Sequence, residues 1–203
     1  MITVTDNKEP LVDILTVCKK IKINLEPTRL KSEKSIFLRQ TVADMLATAE
    51  KLLPDNLYFC VNDAFRPVSI QQKYYNSYFQ KFKKNYPSYS DSKLKKLTSK
   101  FVIDPKDIKR AGHLTGGAID LVLAKNGRNL PMKNLSFNFE RRSITASDQK
   151  IKHINNNRLL LLSVMTEAGF VNYSNEYWHF SYGDYMWAEA TNNKTTIYDI
   201  IKS

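Results

Sequence analysis

Two of the chain's three histidines stand in windows whose residue types can do chemistry together. His113 lies in Ala111-Gly112-His113-Leu114-Thr115-Gly116-Gly117-Ala118-Ile119-Asp120. Its imidazole comes from a loop, the glycine pair turns the chain sharply, and Asp120 follows inside an otherwise apolar strand. A carboxylate there is costly to bury unless it is paired or bound to a cation. Taken alone, the window also reads as a turn histidine and an aspartate hydrogen-bonded to backbone. His179 lies in Asn175-Glu176-Tyr177-Trp178-His179-Phe180, where a histidine between aromatic residues of a strand can equally be a satisfied core residue. Strand periodicity sends Glu176 and His179 to opposite faces. To share a site, Glu176 must sit in a turn before the strand, and Ser174-Asn175 supplies one.

Together the windows say more. Two imidazoles and a carboxylate, His113, Asp120 and His179, form a three-ligand set that suits Zn²⁺ with a fourth position left for water. Water bound there has its pKa lowered to about 7. Glu176, not itself a ligand, is placed to take a proton from it and pass that proton to a leaving amine. Arg66, in Asn62-Asp63-Ala64-Phe65-Arg66-Pro67 at a strand end, is a candidate cation for an oxyanion; the same residue also reads as an ordinary ion-pair partner of Asp63 or another acid. His153, beside Lys152 and Asn155, reads as exposed and outside the metal set. The chain has no H-E-x-x-H, G-x-S-x-G, Walker-A or G-x-G-x-x-G motif. Cys18 and Cys60 lack a C-x-x-C spacing and any context that would lower a thiol pKa, and Cys60 reads as a buried strand filler.

The elements that must position these groups follow from periodicity. Residues 1–35 read as irregular, with a short strand over Lys20–Leu25. Leu38, Val42, Met45, Ala49 and Leu52 predict a helix from about Ile36 to Leu53, stopped by Pro54. Leu57–Ala64 reads as a strand. A helix follows Pro67 with Ile70, Tyr74 and Tyr78 on one face, then a shorter one over Asp91–Phe101. Ala118–Ala124 reads as a buried strand and residues 125–150 as an extended loop. Asn157–Ala168 reads as a helix ended by Gly169, and Phe170–Tyr173 with Trp178–Tyr182 as a closing hairpin. Irregular alternation with short strand connections predicts an α+β fold with a mainly antiparallel central sheet flanked by helices.

With 203 residues, 42% of them apolar, and no Gly/Ser- or Pro-rich linker, the chain reads as one domain spanning 1–203. Mean hydropathy is −0.42, and no uninterrupted apolar run approaches the roughly 20 residues of a membrane span. The opening Met-Ile-Thr-Val-Thr-Asp-Asn-Lys-Glu-Pro puts an acid and a proline where an export signal has its apolar stretch, so a cytoplasmic protein is expected. The net charge of +11 raises nucleic acid as a partner. Against it, 23 of the 31 basic residues are lysine and asparagine is abundant, a composition that an AT-rich genome produces without selection for a basic face. Runs such as Lys81-Phe82-Lys83-Lys84 fit solvated helix faces.

Gly-His-Leu-Thr-Gly-Gly-Ala-Ile-Asp at 112–120 resembles the H-x-x-G-x-A-x-D metal motif of the zinc D-alanyl-D-alanine dipeptidases, the group that includes the vancomycin-resistance dipeptidases. Glu176-Tyr177-Trp178-His179-Phe180 is similar to their E-[WY]-W-H-F segment, and Asp63-Ala64-Phe65-Arg66-Pro67 to their D-[AG]-[FY]-R-P segment. Asn157–Leu160, Ala168–Phe170 and Ser181–Asp184 are similar as well, so the likeness spans roughly residues 20 to 190. The resemblance implies one Zn²⁺ held by His113, Asp120 and His179, with Glu176 as general base and acid and Arg66 facing the tetrahedral intermediate. It also implies the fold shared with D,D-carboxypeptidases and the hedgehog signalling domain. The implied reaction is cleavage of D-Ala-D-Ala to two D-alanines. Two positions depart from the vancomycin-resistance pattern: Ala111 stands where those members have a serine, and Met132–Asn138 lacks their ammonium-binding acid, Glu140 being the nearest.

Three readings follow. The first is a D,D-dipeptidase acting on a small D-amino-acid peptide. The second is a D,D-carboxypeptidase or endopeptidase acting on peptidoglycan stem peptides. The third is a zinc-stabilised, non-catalytic binding module, which needs neither Glu176 nor Arg66.

Overall fold

The computed structural model describes residues 1–25 and 35–202. The stretch 26–34, part of the segment expected to be irregular, lies outside the described residues. The sheet is built around one long strand, β5 (Ala118–Lys125). Its first residues pair antiparallel with β8 (His179–Ser181), and the rest pair antiparallel with β4 (Tyr58–Asp63). The short β6 (Arg128–Asn129) folds back on its end. At one edge β2 (Ile21–Ile23) adds parallel to β4, and at the other β7 (Val171–Asn172) adds antiparallel to β8. The spatial order is therefore β2-β4-β5-β8-β7, with β2–β4 as the parallel pair. A separate antiparallel pair joins β1 (Leu11–Asp13) to β3 (Phe37–Arg39). The α+β, mainly antiparallel architecture expected from the sequence is the one observed.

Period two divides β5 between two faces. Ile119, Leu121 and Leu123 are fully buried and join Leu46 of helix α2 (Gln40–Leu52) and Leu161 and Met165 of α6 (Lys152–Glu167) in the core. Each such side chain contributes about 1.5–3 kcal/mol of burial free energy. Asp120 has the opposite parity and turns away from this core.

Helix α2 begins at Gln40, later than the apolar spacing predicts, because Phe37–Arg39 are held as a strand by β1. Its buried stripe is Val42, Ala43, Leu46 and Ala49, while Met45 is only partly buried and Leu52 is exposed. The Glu9 carboxylate caps the helix from a distance, accepting from Thr41 N at 2.9 Å and Thr41 Oγ1 at 2.7 Å. Helix α3 (Val68–Asn85) starts directly after Pro67 and buries Gln71, Tyr75 and Phe82. Tyr74 and Tyr78, on the face the sequence marked, line a cavity instead. Helix α4 (Asp91–Thr98) is capped by Ser90, whose hydroxyl accepts from Lys93 N.

The segment 125–150 is not simply extended: it contains β6 and a short helix α5 (Phe139–Ser143). Arg158 of α6 pins it, donating to the carbonyls of Met132 at 2.6 Å, Ile144 at 3.0 Å and Arg142. Helix α6 starts five residues earlier than expected, since Ile154 and Arg158 both point inward. Gly169 ends it with φ +97°. The short α1 (Ile14–Val17) and α7 (Tyr185–Ala190) have too few residues for apolar periodicity to reveal. Among the described residues no helix is long and apolar enough to cross a membrane.

Candidate metal centre and active site

The strand register builds the centre. Asp120 stands opposite His179 across β5–β8 and opposite Asp63 across β4–β5, so three adjacent strands place Asp63, Asp120 and His179 in one row. His113 arrives from a tight turn over Gly112–Thr115 that leads through Gly116, with φ +74°, into β5. Thr115 Oγ1 accepts from Gly117 N, and Arg66 N donates to the His113 carbonyl, which fixes that turn against the end of β4.

His113 Nδ1 lies 2.8 Å from the Ala64 carbonyl, which can only accept, so Nδ1 carries the proton and Nε2 is left facing Asp120. Asp120 Oδ1 is 3.3 Å from His113 Nε2 and 2.8 Å from His179 Nδ1. All three donor atoms lie within 4.8 Å of one another. The 3.3 Å between His113 Nε2 and Asp120 Oδ1 is close to the edge of a tetrahedron whose bonds are about 2.0–2.2 Å, while His179 Nδ1 at 2.8 Å sits in hydrogen-bond contact with Asp120; two imidazole nitrogens with one carboxylate oxygen are donors that suit zinc. The residues present fit the ion. Burial opposes the charge on Asp120, yet the imidazoles of His113 and His179 hold its carboxyl well below the usual range. Burial likewise opposes a charged His179, and the hydrogen bond to Asp120 outweighs it and raises that imidazole.

Glu176 is 8% exposed and lies in the turn between β7 and β8, as sharing a site with His179 requires. Its N–H donates to the Tyr173 carbonyl at 2.9 Å, and Asn172 Nδ2 donates to the carbonyls of Glu176 and His179. That turn puts both side chains on one cavity. Burial, and then the Asp120 charge, push the Glu176 carboxyl up to about 8.

Arg66 is the ion-pair partner of Asp63 that one of its sequence readings expects. Its Nη2 and Nε donate to Asp63 Oδ2 at 2.6 and 3.1 Å, and its Nη1 donates to Gln71 Oε1 at 2.7 Å. The guanidinium lies over the Tyr74 ring, 4.7 Å from its centroid, and lines the same cavity. Burial works against its charge, but Asp63 more than offsets that and raises its pKa. His153 is exposed and lies outside the cavity lining.

The cavity measures about 920 Å³, and His113, Asp120, His179, Glu176 and Arg66 all line it. Tyr74, Tyr78 and Lys81 of α3, Trp178, and Arg110 form other parts of its lining. Gln71, which holds Arg66, carried no sequence signal. Ser181 and Asp184 behind His179 belonged to a segment similar to the dipeptidases but had no role assigned. Asp184 is fully buried; burial raises its carboxyl pKa against the opposing hydrogen bond from Trp187 N.

Residues 23–199 match the profile of peptidase family M15, described as D-Ala-D-Ala dipeptidase. The chain belongs to this family of zinc peptidases. Among curated proteins none matches it. Of solved structures, VanYB in complex with D-alanine-D-alanine is 17% identical, with 77% of this chain and 76% of that chain covered and a TM-score of 0.50. A mutant of the vancomycin-resistance D,D-pentapeptidase VanY from a VanB-type cassette, in complex with Zn(II), is 16% identical, covering 90% and 86%, also at 0.50. The LD-carboxypeptidase LdcB is 16% identical over 97% and 82%, at 0.48. The likeness to the two VanY structures is one of fold.

Proposed function

We propose that this M15 peptidase, acting as a single catalytic domain, hydrolyses D-alanyl-D-alanine to two D-alanines with one Zn²⁺. The observation that carries the reading is the convergence of His113 Nε2, Asp120 Oδ1 and His179 Nδ1 beside Glu176 and Arg66 in one open cavity. In this reading His113, Asp120 and His179 hold the ion. When bound, Zn²⁺ supplies Lewis acidity, lowering the pKa of water and polarising a carbonyl oxygen. Glu176 takes a proton from the attacking water at its carboxylate and returns it to the departing amine nitrogen. A carboxyl raised to about 8 suits a group that must both take and give a proton near neutral pH. Arg66 faces the oxygen on which negative charge develops. Asp63 and Gln71 fix its guanidinium beforehand, so little reorganisation accompanies the reaction.

A second reading, a D,D-carboxypeptidase acting on peptidoglycan stem peptides, is favoured by the cavity itself. At about 920 Å³ it far exceeds the volume of a dipeptide, and it extends along α3 to Lys81 and on to Lys100. Ala111 and the Met132–Asn138 loop, where the dipeptidase pattern is broken, point the same way. The deciding measurement is D-alanine release from D-Ala-D-Ala beside release from a pentapeptide ending in D-Ala-D-Ala. Higher kcat/KM on the dipeptide supports the first reading, and a strong pentapeptide preference supports the second. Zinc bound without hydrolysis of either would favour the binding module.

A further inference from the structure

Each imidazole of the centre is held from behind by its second nitrogen, but the two supports differ. His113 Nδ1 meets a rigid backbone carbonyl, that of Ala64. His179 Nε2 instead meets a side chain, the fully buried Ser181, whose Oγ is 3.3 Å away. A hydroxyl both accepts and donates. To accept steadily from Nε2–H it needs an acceptor for its own proton, and the weak thioether of Met186 lies 3.9 Å away.

Asp184 lies beside this arrangement in the turn that follows β8. It is 0% exposed; Oδ1 accepts from Trp187 N at 2.8 Å to cap α7, whereas Oδ2 has no hydrogen-bond partner among the described residues. Oδ2 rests on Gly112, the residue before His113, so closely that a Cβ at 112 would lie 2.1 Å from it. A fully buried carboxylate with a vacant oxygen is costly unless something nearby uses its charge. Asp184 is thus wedged between the segments that carry the two histidines of the centre.

We infer that Ser181 and Asp184 are positioning residues for His179: Ser181 Oγ accepts from Nε2–H and directs its own proton toward Asp184 Oδ2, fixing the tautomer that leaves Nδ1 free for the metal. Such outer support of a ligating histidine changes metal affinity by about 10–100-fold when removed. The inference rests on the metal reading above.

The test is zinc affinity of the purified protein, measured by competition with a chelator, together with thermal unfolding of the metal-free form. Ser181→Ala and Asp184→Asn are expected to bind Zn²⁺ about 10–100-fold more weakly. Asn can still cap α7 through its Oδ1, so metal-free unfolding should stay close to wild type. Ser181→Thr, which restores the hydroxyl, should recover most of the affinity. Wild-type affinity in both Ser181→Ala and Asp184→Asn would overturn the inference, as would a loss that merely tracks unfolding of the metal-free protein. A wild-type chain that binds no zinc would overturn the metal reading and this inference together, whereas a zinc-binding wild type with unaffected variants overturns this inference alone.

Discussion

Asp120 and His179 are direct cross-strand partners on β5 and β8, with Asp120 Oδ1 2.8 Å from His179 Nδ1. Strand pairing therefore sets this half of the centre before any ion arrives. The other half, His113, depends on the Gly112–Thr115 turn and on the Ala64 carbonyl at the end of β4.

This division of labour separates two kinds of loss. Glu176→Gln should keep zinc and lower kcat by about 10²–10⁴-fold, the usual contribution of a positioned acid-base group. His113→Ala should lose both metal and turnover. Zinc titration followed by thermal unfolding checks the pair, since an ion bound at 100 times its Kd stabilises by about 2.7 kcal/mol. The melting temperature should rise with zinc for wild type and Glu176→Gln and stay flat for His113→Ala. Retained turnover in Glu176→Gln would remove the role assigned to that carboxylate.

The raised Glu176 carboxyl has a consequence for the metal-free protein. Its unfolded value is the ordinary one, about 4.3, while burial and Asp120 raise the folded value to about 8. The folded state then holds a proton that the unfolded chain releases. The stability this group contributes is fully present below pH 4.3 and is lost as pH rises through 8. Metal-free wild type should lose stability between about pH 5 and 8 relative to Glu176→Gln, whose side chain does not titrate. Thermal unfolding in chelator across that range measures the difference; parallel curves would show that Glu176 is ionised in the folded state throughout.

Much of this centre was legible because its chemistry lies in residue type and local spacing. An aspartate in the apolar strand Ala118–Ala124 and a histidine between Trp178 and Phe180 are conspicuous, and a turn at Ser174-Asn175 was enough to bring Glu176 alongside. The fold class followed from the same strands. What stayed hidden is polar and long-range. Arg158 and the fully buried Gln149 order the 125–150 segment through backbone groups, Gln149 accepting from Asn134 N at 3.0 Å, and apolar periodicity does not register such anchors. Gln71 is local, reaching Arg66 from the first turn of α3, but a glutamine at that spacing carries no distinguishing pattern. The start of α2 was misplaced because β1, an isolated three-residue strand, captures Phe37–Arg39.

Gly112 is a further point of close approach. An alanine there would put its Cβ 2.1 Å from Asp184 Oδ2 and 2.9 Å from Ala118 Cβ. Asp184 cannot retreat without releasing Trp187 N and uncapping α7, so the His113 turn must move. Gly112→Ala is expected to cost about 1–3 kcal/mol, as overpacking does, and to weaken zinc binding. Chemical denaturation and zinc titration of this variant check both effects, and unchanged values would show that Asp184 yields freely.

Arg66 combines two duties that substitution can separate. The residue is 9% exposed, and its guanidinium makes a two-donor contact with Asp63 and a third bond to Gln71. Removing one member of a buried ion pair costs about 3–5 kcal/mol, since the other charge is left buried and alone. Arg66→Ala should therefore be both inactive and markedly less stable. Arg66→Lys keeps the charge beside Asp63 but loses the planar fork. Its stability should fall less, while kcat should still drop about 10²–10³-fold, as when one oxyanion donor is removed, with KM changed far less. Kinetics and denaturation of the two variants together test this. A lysine variant with wild-type kcat would mean that Arg66 serves only to hold Asp63, and that the developing negative charge is met by another group.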